Sequence, residues 1–193
     1  MVASPPIGTQ HYSPEDYRQR EAKAQTRHEY RSGEIIEIPG SSVNHNSLTL
    51  DLAFTLQLLL QDTEFKIFSS DLRVWMPACQ FGAYPDVMAI DGEPILNGDR
   101  TDEILNPRFI AEVLSPATAD YDRGTKFSSY RNIDSFREYL LISQTEPLVE
   151  HYWKTEDGVW HLEDLRGLEA TIALRHLPAT FALKQVYRRV KFD

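Results

Sequence analysis

The sequence predicts a single mixed α/β (α+β) domain in which a central mixed β-sheet is flanked by helices. Three observations lead to that class. At 193 residues the chain is long enough for one hydrophobic core and too short for two ordinary ones. Some segments repeat apolar residues at helical spacing, whereas others are short β-branched runs bounded by Gly, Pro, Asn and Asp. With 41% hydrophobic and 25% charged residues, the composition is that of a globular protein, neither disordered nor membranous.

The elements follow in order. Residues 1–12 begin with Ser4, Pro5, Pro6 and Gly8 and are expected to form a flexible arm, leaving 13–193 as the domain. Ser13-Pro14-Glu15-Asp16 starts a helix to about Gln25, with a hydroxyl cap, a proline in the first turn and acids at the positive helix end. HEYRSGEIIEI reads as a hairpin turning at Arg31-Ser32-Gly33 and stopping at Pro39-Gly40. Leu48, Leu52, Leu56, Leu59 and Leu60 predict an amphipathic helix over 46–61. Strand-like runs follow at 65–68, 72–76, 84–90 and 109–114, with a polar loop over 91–107. Phe127, Tyr130 and Ile133 fall on one side of a second helix over 119–132. Strands at 138–142 and 148–153, an Asp157-Gly158 turn into 159–162, a strand at 171–174 and a helix over 183–190 complete the domain.

Composition also bounds function. The net charge of −9 argues against a surface built for tight, non-specific nucleic-acid binding, because phosphate affinity comes from clustered cations. Cys79 is the single cysteine and cannot form an intramolecular disulfide. The first residues lack the basic stretch and apolar core of a secretory signal, and no run approaches the about 18 apolar residues of a membrane span. A cytoplasmic protein is expected.

Two carboxylates stand where strands should be apolar. Glu112 lies within Phe109-Ile110-Ala111-Glu112-Val113-Leu114, and an unpaired charge in a strand covered on both faces would cost several kcal/mol, so it requires a cation or a metal. Asp86 heads the run Val87-Met88-Ala89-Ile90. A Pro-Asp pair usually marks a turn or helix start, but here a β-branched run follows. If the two acids converge, they could hold a hard cation such as Mg²⁺ or Mn²⁺. Lys126 is a third candidate, in the helix after the Glu112 strand, with Ser115-Pro116-Ala117-Thr118 as the intervening turn. Spacing leaves open whether Lys126 points at the acids or is a solvated lysine paired with Asp122. Other chemistries lack their residues: there is no zinc-protease helix, serine elbow, phosphate-binding glycine loop or cysteine pair. Of the six histidines only His45, just before the long helix, sits where a side chain could reach a site, with a loop or capping role as the favoured reading.

With Asp86, Glu112 and Lys126 in these positions, the sequence resembles the Uma2 family of restriction endonucleases, a branch of the PD-(D/E)xK nuclease fold. The matching segments are HEYRSGEIIEIPG, NHNSL, SSDLRVWM, YPDVMAI and FIAEVLSPATADYDRGTKFSSYRNIDSFREYLLIS. The resemblance implies a restriction-endonuclease-like core in which Asp86 and Glu112 hold Mg²⁺ or Mn²⁺. In the wider fold the motif lysine stands two residues after the acid, a position held here by Leu114. The role therefore passes to Lys126 on the following helix. Glu29, in the family's early acidic position, is implied to orient a metal-bound water or a second ion, against a reading as a surface acid of the hairpin. Ser115 and Thr118 are expected to shape the turn.

The expected activity is metal-dependent hydrolysis of DNA phosphodiester bonds, and a homodimer would suit cutting both strands. Two other readings remain: a catalytically silent nuclease-fold binding module, and a phosphoesterase acting on a small nucleotide. Residues 86–126 hold nine acidic against four basic side chains, more than half of the excess negative charge. Acidity concentrated around a metal site no longer excludes a nucleic-acid substrate. The C-terminal Lys184, Arg188, Arg189 and Lys191 read as a modest cationic patch or a solvated helix face.

Overall fold

The computed structural model describes residues 11–192. Of the expected arm, residues 1–10 lie outside that range. Tyr12 is tied to the hairpin, its N–H donating to the Gly33 carbonyl at 2.9 Å and its carbonyl accepting from the Tyr30 hydroxyl at 2.9 Å.

The elements in order are α1 (Pro14–Glu21), β1 (His28–Arg31), β2 (Glu34–Glu37), α2 (Val43–Leu59), β3 (Phe65–Ser69), β4 (Arg73–Met76), β5 (Phe81–Ala83), β6 (Val87–Asp91), β7 (Glu103–Ile104) and β8 (Phe109–Leu114). A helical segment follows: α3 (Ala119–Tyr121), a π-helical turn (Asp122–Lys126) and α4 (Phe127–Tyr130). The chain ends with β9 (Glu138–Ser143), β10 (Leu148–Lys154), β11 (Trp160–Arg166), β12 (Thr171–Ala173), β13 (Thr180–Ala182) and α5 (Leu183–Val186).

Two larger sheets form, where the sequence suggested one. The central sheet is mixed and six-stranded, in the order β11-β10-β9-β8-β6-β3, with β8 and β9 parallel and the other pairs antiparallel. The second runs β2-β1-β5-β4-β7, and β12 pairs β13 separately. The split falls inside the run expected as one strand over 84–90. Pro85 has no N–H to give a ladder, so Tyr84-Pro85-Asp86 carries the chain from β5 in one sheet to β6 in the other.

Alternation along β8 sorts the core into two layers. Phe109, Ala111 and Val113 face Leu48, Leu52 and Leu56 of α2, together with the β12–β13 hairpin and α5. Ile110 and Leu114 face the second sheet, through Val74, Met76 and Phe81, and the segment around Tyr130 and Phe136. All six residues of β8 are buried, as its composition predicted. Glu112 shares the side of Ile110 and Leu114, which fixes the layer in which its partners must lie.

Helix boundaries moved where caps or tertiary bonds outweigh periodicity. Ser42 caps α2 by accepting from His45 N at 3.0 Å, so the helix starts three residues before the expected Asn46. At the far end, Leu183–Val186 is helical but the expected 183–190 is not. There the Tyr187 hydroxyl donates to the carbonyls of Ser143 and Leu148, both at 2.8 Å, and Arg188 and Arg189 turn to Asp51. Among the described residues no helix is long and apolar enough to cross a membrane.

The second sheet is locked by a buried ion cluster. Arg73 and Glu103, paired across β4 and β7, are 1% and 0% exposed. Arg73 donates to Glu103 at 2.8 Å, Asp102 at 3.0 Å and the Tyr84 hydroxyl at 2.9 Å, and Arg18 of α1 reaches Glu103 at 2.9 Å. Burial works against the Glu103 carboxylate, but Arg18, Asn97 and Arg73 outweigh it and hold the carboxyl below its usual range. Glu103→Gln is expected to cost about 3 kcal/mol in urea unfolding at neutral pH, the scale of breaking a buried pair. Because the folded pKa is depressed, the stability from Glu103 is present above the unfolded value, near about 4.3, and is lost as pH falls through the folded value. The difference from wild type should therefore close in acid, and a constant difference would contradict this account.

Candidate active site

Continuing the β6–β8 register one step beyond Val87↔Ala111 sets Asp86 opposite Glu112. The backbone N–H of Asp86 lies 3.4 Å from Glu112 Oε2, and Val113 N–H donates to Asp86 Oδ2 at 2.8 Å. Two strands that pair only in part thus bring both anomalous acids to one place. His45, in the first turn of α2, puts Nε2 at 3.3 Å from the same Asp86 Oδ2.

Lys126 resolves the choice that spacing left open: it points at the acids and is not a solvated surface lysine, although it keeps the Asp122 pairing. It pairs with Asp122 at 3.5 Å, as a helical neighbour would, but inside the protein. Its Nζ also lies 3.0 Å from Glu112 Oε1 and 3.2 Å from Glu29 Oε1. Side-chain exposure is 8% for Lys126, 4% for Glu112, 6% for Glu29 and 5% for Asp122, so the cluster is screened from water. The π turn contains both Asp122 and Lys126, and such wide turns recur at functional sites in helices.

Glu29 is not a surface acid. β1 pairs with both β2 and β5, which turns Glu29 inward, and its Oε2 accepts from the Tyr121 hydroxyl at 2.7 Å. The Tyr130 hydroxyl donates to Glu112 Oε1 at 2.8 Å. Ser115 and Thr118 shape the turn as expected: their hydroxyls are 2.9 Å apart, and Thr118 N–H donates to Ser115 Oγ at 3.2 Å.

The electrostatics follow from three carboxylates sharing one ammonium. Burial drives Glu112 up, Lys126 pulls it back, and Asp86 and Asp122 add like charge, leaving it pushed up to about 8. Asp122 is raised by burial too, against the pull of Lys126 and a hydrogen bond from Thr118. For Lys126, burial disfavours the charged form, but Glu112 and Glu29 overcome it and hold the amine protonated well above its usual range. The cluster is short of positive charge.

Glu29, His45, Asp86, Glu112, Tyr121, Asp122 and Lys126 line a cleft of about 650 Å³. Its walls include Arg27 just before β1, Arg31 of β1, the segment 38–42, His45 at the start of α2, and the turn over 115–118. Gln144 ties two walls together, accepting from the Ser42 hydroxyl at 2.5 Å and donating to the Leu114 carbonyl at 3.0 Å. His45, Asp122, Tyr121 and Tyr130 join the four candidates named from sequence. Its place just before the long helix was the signal for His45, and the i, i+4 spacing to Lys126 was the signal for Asp122. The tyrosines had none.

Among known proteins, this chain is 44% identical over 157 residues to the "Uncharacterized protein sll1609" of Synechocystis sp. (strain ATCC 27184 / PCC 6803 / Kazusa), covering 81% of this chain and 89% of that one. It is 32% identical over 193 residues to the "Uncharacterized protein slr1290" of the same organism, covering 100% of both. In fold it is similar to a crystal structure from Anabaena variabilis ATCC 29413 described as a "putative nuclease belonging to DUF820", with a TM-score of 0.71 at 15% identity, covering 92% of this chain and 98% of that one. The Uma2 profile, described as "Putative restriction endonuclease", matches residues 14–185, which takes in both sheets and every residue of the buried cluster. A match of that extent, beside two full-length or nearly full-length relatives, shows that the chain belongs to the Uma2 family.

Proposed function

We propose that the protein is a metal-dependent endonuclease that hydrolyses phosphodiester bonds of DNA, with Asp86 and Glu112 as ligands of Mg²⁺ or Mn²⁺ and Lys126 as the relocated lysine of the motif. The observation that carries this reading is the convergence of Asp86 just before β6, Glu112 of β8 and Lys126 of the π turn in the lining of one cleft. The family and the nuclease-fold neighbour support the reaction class.

The donor set fits a hard divalent cation. Asp86 and Glu112 offer carboxylate oxygens, and the surrounding charge is in negative excess. Among the described residues no three or more His, Cys, Asp or Glu side chains are arranged to hold a metal ion. Two protein carboxylates would be the contribution here, and Mg²⁺ usually takes one or two, completing its shell with water and substrate oxygens. When bound, such an ion would acidify water and neutralise charge on the scissile phosphate.

The protein's own groups do the rest. His45 and the Val113 N–H both engage Asp86 Oδ2, fixing the carboxylate and leaving Oδ1 for a ligand. Tyr130 and Lys126 orient Glu112 through Oε1. Lys126, held protonated, would donate a hydrogen bond to the charge that builds on the phosphate. Glu29 and Asp122 hold that ammonium in place, and Tyr121 holds Glu29. The second sheet therefore takes part through β1, as a clamp on the lysine.

Purified protein should nick or cut DNA in the presence of Mg²⁺ or Mn²⁺. Asp86→Ala and Glu112→Gln should abolish that activity while leaving far-UV circular dichroism unchanged, and full cleavage by both variants would refute the ligand assignment. Lys126→Met should lower the rate about 10²–10³-fold, as for loss of one stabilising donor. It should also cost about 3–5 kcal/mol in unfolding, because Glu29, Glu112 and Asp122 lose their shared cation. Without metal, duplex binding should be weak. Tight metal-free binding that persists in Asp86→Ala would favour a binding module instead.

A further inference from the structure

Helix α2 buries one face and leaves the other uncovered. Leu48, Leu52 and Leu56 enter the core, whereas Leu50, Phe54 and Leu58 are 54%, 53% and 56% exposed and Val43 is 82% exposed. At 3.6 residues per turn these four fall in a stripe about 80° wide. The rest of that side is Asn46, Ser47, Gln57 and Gln61. From Val43 to Gln61 the only formally charged residue is Asp51, and it is buried under Arg188 and Arg189. A surface helix ordinarily turns charge to water. This one, in a chain that is 25% charged, does not.

We propose that the outer face of α2 is the interface of a homodimer, packed against the same helix of a second copy. The spacing supports helix-on-helix packing. Leu50, Phe54 and Leu58 stand four apart and form an i±4 ridge, which interdigitates with an identical ridge in the commonest class of helix crossing. The same patch on both subunits is what a two-fold dimer requires. The area supports it as well. The stripe exposes on the order of 400 Å² of apolar surface, in the range of the largest patches on soluble monomers, which are often functional. With the flanking amides and the half-exposed Arg188 and Arg189 it approaches the ~800 Å² per partner of a stable interface.

Charge limits where a second copy can dock. Two copies of net charge −9 repel at long range, so contact costs least where no carboxylate faces out, and the one acid of α2, Asp51, is buried under Arg188 and Arg189. The same negative charge disfavours an anionic lipid surface as the occupant. Phe54 sits centrally with the Arg188 guanidinium 5.4 Å from its ring, an aromatic and an arginine of the kind that dominate interface energetics. His45 in the first turn of α2 faces the cleft, so one helix would join each site to the dimer axis. The inference itself rests on α2 and the two arginines packed on it, and not on the chemistry assigned to the cleft.

Sedimentation equilibrium of the full chain at micromolar concentration tests it. Wild type should give twice the 22.2 kDa of one chain. Phe54→Asp should raise the dimer dissociation constant at least about 30-fold, the effect of losing a hot-spot residue. Leu50→Gln should act in the same direction, with far-UV circular dichroism unchanged, which separates loss of the interface from loss of the fold. A monomeric wild type, or a dimer that survives both substitutions in folded protein, would overturn the proposal.

Discussion

A carboxylate on a strand buried on both faces obliges the fold to bring positive charge to it. Glu112 is that carboxylate, and Lys126 is the charge brought to it. The cost of burying either alone is several kcal/mol, so β8 and the helical segment after it must be placed together. What distinguishes the cluster from an ordinary buried pair is its imbalance. Glu29 and Asp122 share the ammonium with Glu112, and burial leaves Glu112 pushed up to about 8. A structural ion pair would be neutralised more completely.

The second sheet exists to serve that cluster from the other side. Its β1 supplies Glu29, and its β4 supplies Arg73, which bonds the Tyr84 hydroxyl two residues before Asp86. The short connection Tyr84-Pro85-Asp86 therefore has both ends fixed: Tyr84 by the Arg73–Glu103 cluster, and Asp86 by the backbone of β8 and by His45. Arg73 and Glu103 lie outside the cleft, yet they hold the strand end that positions its aspartate.

Charge carries a different meaning once partners are known. The basic residues near the C-terminus do not form a free patch: Arg188 and Arg189 are bound to Asp51, and Lys184 to Glu169. The cations left around the cleft are few, with Arg27 engaged by the Ser70 carbonyl and Asp71 and Arg31 by Glu34. Electrostatic capture of a polyanion by such a surface would be modest.

Sequence alone determined whatever depends on local chemistry. The period-two and helical patterns located most strands and the principal helix, Pro85 and the apolar run after it put Asp86 at a strand head, and an acid amid apolar neighbours singled out Glu112. It could not decide features set by distant partners. Pro85 marked a break in the run 84–90, but that its two halves join different sheets depends on the distant strands they pair with, β5 with β1 and β4 and β6 with β3 and β8. The C-terminal helix stops at Val186 because Tyr187, Arg188 and Arg189 find partners on β9, β10 and α2. Lys126 could equally have faced water, since spacing records only its i, i+4 neighbour. The buried charge of Glu112 and Glu29, contributed by two different sheets, made the inward position the favourable one. That balance exists only after the chain has folded.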